Sequence, residues 1–69
     1  MTRKQELIID GCKLLGLSND ETISVFQILR NEKEFSDMLD WLIENIESKP
    51  TSVEVIVAAG MIQMKNSKL

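Results

Sequence analysis

The sequence contains no histidine and no tyrosine, and only one of its 69 residues is cysteine. Histidine is the most common general base and metal ligand near neutral pH, and a lone cysteine can form neither an intramolecular disulfide nor a zinc cluster. The three glycines are too scattered in the chain to form a phosphate-binding loop. We therefore expect a protein without catalytic activity, metal or cofactor.

Long hydrophobic runs are also missing. The longest, Val55 to Ile62, has eight residues, whereas a helix that crosses a bilayer needs about 20. The N-terminal region has only Leu7 to Ile9 as an apolar run, which is too short for the core of an export signal. Together with the lone Cys12, these features predict a cytoplasmic protein that does not enter membranes.

The charge balance argues against nucleic acid as a partner. The formal net charge is −3, so a polyanion is repelled on average. Hydrophobic residues make up 43% and charged residues 28% of the chain, which is typical of a folded globular domain. A chain this short has room for one domain only, and it buries so little surface that a partner or a second copy would stabilise it.

Four capping signals predict four helices. In each, a capping residue is followed three positions later by Glu or Gln, the pattern of a capping box: Thr2 with Gln5, Ser18 with Glu21, Asn31 with Glu34, and Thr51 with Glu54. Gly16 suits a left-handed helix end, and Pro50 cannot continue a helix. We predict an all-α fold, a compact single-domain bundle of four short helices over about 3–15, 19–30, 32–48 and 52–65.

Helical periodicity predicts which residues face the core in the first three helices. These are Leu7, Ile8, Gly11, Leu14 and Leu15; then Ile23, Val25, Phe26 and Leu29; then Phe35, Met38, Leu39, Leu42, Ile43 and Ile46. The fourth segment is apolar on every side, and its β-branched residues leave a strand as the alternative to a helix.

The all-round apolar character of the fourth helix predicts self-association. We expect one side of it to dock on the bundle: Val53, Ile56, Val57, Gly60 and Met64. The other side would pair with a second copy in a homodimer: Val55, Ala58, Ala59 and Ile62. The alternative is that Ile9 and Leu17 cover this second side within one chain.

An acidic ridge runs along the third helix. Asp37, Asp40, Glu44 and Glu47 recur at steps of three, four and three, and Trp41 lies beside them. These five residues are candidates for binding a basic protein partner. The alternative is that the ridge only keeps the protein soluble.

A helix-turn-helix is the alternative functional reading, because Gly16, Leu17 and Ser18 form a short turn of the kind that this motif uses. The second helix, however, opens with Asp20 and Glu21 and has no basic residue before Arg30, whereas DNA recognition needs cations. The preferred hypothesis is a small non-catalytic protein-protein interaction or regulatory module acting through helix surfaces. The alternative is a DNA-binding regulator whose dimer supplies the basic surface.

Residues 7–46 are similar in outline to the ubiquitin-associated type of three-helix module. The similarity is carried by the run Leu14-Leu15-Gly16-Leu17-Ser18, a break at Asn31 and the run Met38-Leu39-Asp40-Trp41-Leu42. The resemblance implies an adaptor that binds another protein through the Gly16-Leu17 turn and the end of the third helix. The fourth helix departs from this pattern, and the second helix is more polar than in such modules.

Overall fold

The protein is a bundle of four α-helices in a computed structural model that describes residues 1–67. The helices are α1 (Arg3–Leu14), α2 (Asn19–Ile28), α3 (Glu32–Asn45) and α4 (Ser52–Ser67), and a 3₁₀ turn, Ile46–Ser48, extends the end of α3. Residues 1–67 contain no strand. The predicted all-α bundle is therefore confirmed, and the strand alternative for the fourth segment is wrong.

Local capping chemistry determines where the helices begin. The hydroxyls of Thr2, Ser18 and Thr51 each accept a hydrogen bond from the backbone N–H three residues later, and the Gln or Glu at that position accepts one in return. At α3, Asn31 caps the helix in the same way. Its expected partner Glu34 instead accepts from the backbone N–H of Arg30, at 2.7 Å, so this box is only half formed.

The turn between α1 and α2 depends on Gly16, which has a φ of 84°. The N–H groups of Gly16 and Leu17 donate to the carbonyls of Lys13 and Cys12, the hydrogen-bond pattern of a Schellman motif. Leu17 then packs back into the core with 6% of its surface exposed. The predicted left-handed end of the first helix is confirmed.

Three helix pairs make most of the packing: α1 with α3, α2 with α4, and α3 with α4. The chain reverses between α3 and α4, and the Nδ2 of Asn66 near the end of α4 donates to Asp37 near the start of α3, so these two helices run antiparallel. The apolar core is formed by Ile8, Cys12, Leu17, Val25, Leu29, Met38, Leu42, Val55, Ala58 and Ala59.

Three residues predicted to face the core are exposed: Leu14 (78%), Ile43 (65%) and Ile23 (52%). In α1 the buried arc is Ile8, Gly11 and Cys12, rotated away from Leu14 relative to the predicted face. The rotation lets α1 approach α3 closely, since a Cβ added to Gly11 would lie 3.4 Å from the side chain of Leu42.

Candidate binding surface

Helix α4 has one buried and one exposed apolar face, and the prediction assigned them the wrong way round. Val55 and Ala59 are fully buried and Ala58 is 6% exposed, although all three were predicted to lie on the free side. Ile62, the fourth residue of that set, is half-buried and packs against the core. The small side chains of Ala58 and Ala59 let α4 approach its neighbours in the same chain, which explains the reversal.

The exposed face of α4 carries three of the side chains that were predicted to dock, together with Met61. Val53, Val57, Met61 and Met64 are between 53% and 67% exposed, and we call these four residues the α4 seam. They follow one another at steps of four, four and three, so they form one stripe along the helix. Only Ile56 and Gly60 of the predicted docking set are half-buried.

The α4 seam borders a groove of about 540 Å³, which we call the Trp41 groove. Its lining residues are Trp41, Val53, Glu54, Val57, Ala58, Met61, Ile62 and Lys65. Trp41, half-buried on α3, supplies the only aromatic ring in this lining. The two charged residues, Glu54 and Lys65, lie near opposite ends of α4, so the middle of the groove is apolar.

The predicted acidic ridge divides into two parts. Asp37 is held within the fold: one carboxylate oxygen accepts from Lys33 at 3.0 Å and the other from Asn66 at 3.1 Å. These hydrogen bonds lower the pKa of Asp37 below its usual range, and the one from Lys33 has the largest effect. Asp40, Glu44 and Glu47 are exposed. The prediction of a basic partner can therefore apply to these three carboxylates, whereas Asp37 links α3 to α4.

A second concave surface lies between α1 and α2 and has a volume of about 620 Å³. It is larger than the Trp41 groove but more polar in its lining, which is Met1, Gln5, Ile9, Lys13, Asn19, Thr22, Ile23, Phe26 and Gln27. Ile9, which was predicted as one possible cover for α4, therefore lines a different surface. Leu17, the other possible cover, is in the core.

The side chains that could carry chemistry are few. Cys12 is fully buried, and this burial raises the pKa of its thiol to about 11, so the thiol stays protonated at neutral pH. Within residues 1–67 there is no group of three or more His, Cys, Asp or Glu side chains that could hold a metal ion. No helix in this part of the chain has the length and apolar character required to cross a membrane.

Of the four residues of the α4 seam, Val53, Val57 and Met64 were predicted to dock on the bundle, and Met61 was placed on neither side of the helix. The spacing of Val53, Val57 and Met61 was visible, but Glu54 and Gln63 are the only polar residues between Val53 and Met64, and they did not indicate which side of the helix is exposed. Comparison of the chain with protein-family models, curated proteins and solved structures gives no match.

Proposed function

We propose that this protein is a small, non-catalytic protein-protein interaction module of the cytoplasm, and that the Trp41 groove is its binding surface. The observation that carries the proposal is the exposure of the α4 seam. Its four large apolar side chains are more than half exposed and lie side by side on one helix. Contiguous apolar surface of this kind on a small protein is typical of an interaction site.

The form of the groove supports recognition of a helix. An apolar stripe on one wall and a tryptophan on the other match the way in which grooves take up the apolar face of a partner helix. Trp41 is suited to act as an anchor, because tryptophan is enriched among residues that dominate binding energy. Burying one Val or Met side chain contributes roughly 1.5–3 kcal/mol before ordering costs are subtracted.

The exposed carboxylates of Asp40, Glu44 and Glu47 support a secondary role in orientation. Asp40 and Glu44 lie on α3 and Glu47 in the 3₁₀ turn that follows it, all outside the Trp41 groove, where they would attract a basic protein surface and repel an acidic one. Rim charges of this kind act mainly on association rate and salt dependence rather than on affinity. We propose a basic protein partner only for the surface formed by Asp40, Glu44 and Glu47.

The resemblance to ubiquitin-associated modules implied a different binding surface, formed by the Gly16-Leu17 turn and the end of the third helix. Leu17 is in the core, and Leu14 is the one large apolar side chain beside that turn that is exposed. The Trp41 groove is the better supported surface because it exposes more large apolar side chains.

The DNA-binding alternative has one favourable observation, the short turn through Gly16 that joins α1 to α2. Helix α2 carries Asp20 and Glu21 in its first turn and no basic residue in its last, so a single chain offers the DNA phosphates no cations there. Electrophoretic retardation of random duplex DNA tests this alternative. Retardation that weakens steeply with salt would favour DNA binding over the proposed function.

Photo-crosslinking in the native cells tests the proposed function. A photoreactive amino acid replaces Met61 in the α4 seam, and a matched control replaces Ile43, which is equally exposed at 65% but lies outside the groove. We expect a specific crosslinked product from position 61 and none of the same mass from position 43. Equal products from both positions, or none from position 61, would contradict the proposal.

A further inference from the structure

We infer that the occupant of the Trp41 groove is a second copy of this chain, with the two α4 helices packed antiparallel across a two-fold axis near Gly60. This inference rests on the proposed function, because it names the partner of the same surface. Three observations on α4 carry it: the shape of the α4 seam, the surroundings of Gly60 and the charges at the two ends of the groove.

The α4 seam can pair with itself. Its four residues span most of the helix and are arranged almost symmetrically about a point between Val57 and Met61. Two such stripes laid antiparallel would place Val53 of one copy beside Met64 of the other, and Val57 beside Met61. A two-fold axis makes this contact closed and self-complementary, which limits assembly to a dimer.

Gly60 borders open space within residues 1–67. A Cβ added there would meet no atom within 4 Å, although Gly60 was predicted to lie on the side of α4 that docks on the bundle. Glycine in the middle of a helix is nevertheless unfavourable relative to alanine. Gly60 lies one turn from both Val57 and Met64, halfway along the seam and on its edge, where its missing side chain would let a second helix approach closely.

The charges that line the groove favour an antiparallel pair. Glu54 lies near the start of α4 and Lys65 near its end, and both line the groove. An antiparallel partner would bring each Glu54 towards the Lys65 of the other copy, whereas a parallel partner would oppose Glu54 to Glu54 and Lys65 to Lys65. Opposed helix dipoles favour the same orientation.

Sedimentation velocity tests the dimer, with two variants compared to the unaltered chain. We expect the mass to rise from 7.9 kDa to twice that value over the micromolar range. Met61→Glu should weaken the dimer about tenfold or more, and Ile43→Glu, which changes an equally exposed residue elsewhere, should leave it unchanged. Far-UV circular dichroism checks that all variants stay helical.

Gly60→Ala is the most informative variant, because the inference predicts that it stabilises the monomer and weakens the dimer. The added methyl group should raise the thermal midpoint of the dilute monomer through helix propensity. It should also weaken the dimer, by about threefold or more, through steric contact with the second helix. A Gly60→Ala protein that dimerises as well as the unaltered chain would overturn the placement of the axis.

Introduced cysteines test the orientation. Val53 and Met64 are eleven residues apart, about 17 Å along a helix, and a disulfide needs Cα atoms within about 7 Å. A mixture of Val53→Cys and Met64→Cys chains should form mixed disulfides, and Val53→Cys alone should not. Disulfide formation by Val53→Cys alone would show a parallel pair and overturn the inference. The unaltered chain controls for the buried Cys12.

Self-association and the proposed function can fail separately. A concentration-independent species of 7.9 kDa, combined with a crosslink from position 61 to another protein, would overturn the second copy and leave the proposed function standing. A monomer that also gives no crosslink from position 61 would overturn both. A dimer that is equally weakened by Met61→Glu and Ile43→Glu would overturn the assignment to α4.

Discussion

Helices α3 and α4 lie side by side and antiparallel, yet their sequences constrain the fold very differently. In α3, charged residues interrupt the apolar positions, and Met38 and Leu42 are deeply buried as the periodicity predicts. In α4 almost every residue from Val53 to Met64 is apolar, and the periodicity does not indicate which side faces the core. Polar residues thus carry as much information about orientation as apolar ones, because they mark the side that cannot be buried.

The largest expected effect separates the two faces of α4. Val55→Asp should unfold the protein, at a cost of more than about 4 kcal/mol, because it places an unpaired charge at a fully buried position. Val57→Asp, two residues away on the exposed face, should leave the dilute monomer folded. Urea denaturation followed by circular dichroism measures both. A folded Val55→Asp protein would mean that the buried face of α4 is assigned incorrectly.

The next effect concerns α3, where two acidic residues of the first turn differ in their surroundings. Glu34 is only 2% exposed, and its carboxylate accepts from the N–H of Arg30. Glu34→Ala should lower the free energy of unfolding by about 1–3 kcal/mol, because it leaves that N–H without its acceptor. Glu32→Ala, at an exposed position that pairs only with Lys4, should cost less than about 1 kcal/mol. Equal costs in urea denaturation would refute the distinction.

The connection between α3 and α4 offers a smaller, stabilising change. Lys49 has a φ of 51°, a left-handed conformation that is unfavourable for any residue with a Cβ. Lys49→Gly should raise the free energy of unfolding by about 1 kcal/mol, seen as a rise of several degrees in the thermal midpoint. Gly16→Ala, at a φ of 84°, is the matched control and should have the opposite sign. A stabilising Gly16→Ala would contradict both backbone assignments.

The smallest effect is expected on the exposed side of α3. Reversing Asp40 and Glu44 to Lys should change the free energy of unfolding by no more than about 0.5 kcal/mol, because both side chains are exposed. Asp37→Asn should cost more, since it removes the charge that pairs with Lys33 and one of the two acceptor oxygens that hold Lys33 and Asn66. Thermal melts of both variants measure the difference, and a larger loss from the double reversal would show that Asp40 and Glu44 are paired within the fold.

Features set by a few neighbouring residues were predictable from the sequence. The three complete capping boxes and the left-handed Gly16 each depend on contacts within about five residues. The local sequence is therefore sufficient to predict them. At Asn31 the cap was predicted correctly but the return bond was not, because the carboxylate of Glu34 reaches the N–H of Arg30, one residue earlier than expected.

The orientation of α4 could not be predicted in the same way. It depends on α2 and α3, which are distant in sequence, and on the fit of Ala58 and Ala59 against them. The same limit explains Ile43 and Leu14, whose spacing is compatible with the core but whose side chains lie beyond the buried arcs of their helices. The Trp41 groove depends on this orientation of α4, so the sequence did not predict it. Trp41 was predicted as a site residue because it lies beside the acidic residues of α3, not because it faces the apolar side chains of α4.

Because Cys12 on α1 is fully buried, the opening of α1 can be measured separately from the opening of the α3–α4 pair. Its thiol can react with a labelling reagent only when α1 leaves the core, so the labelling rate measures how often that opening occurs. Trp41, the only tryptophan, lies on α3 and lines the groove beside α4, so its fluorescence reports on the α3–α4 pair. Labelling that outpaces the fluorescence change would show that α1 detaches while the α3–α4 pair is still closed.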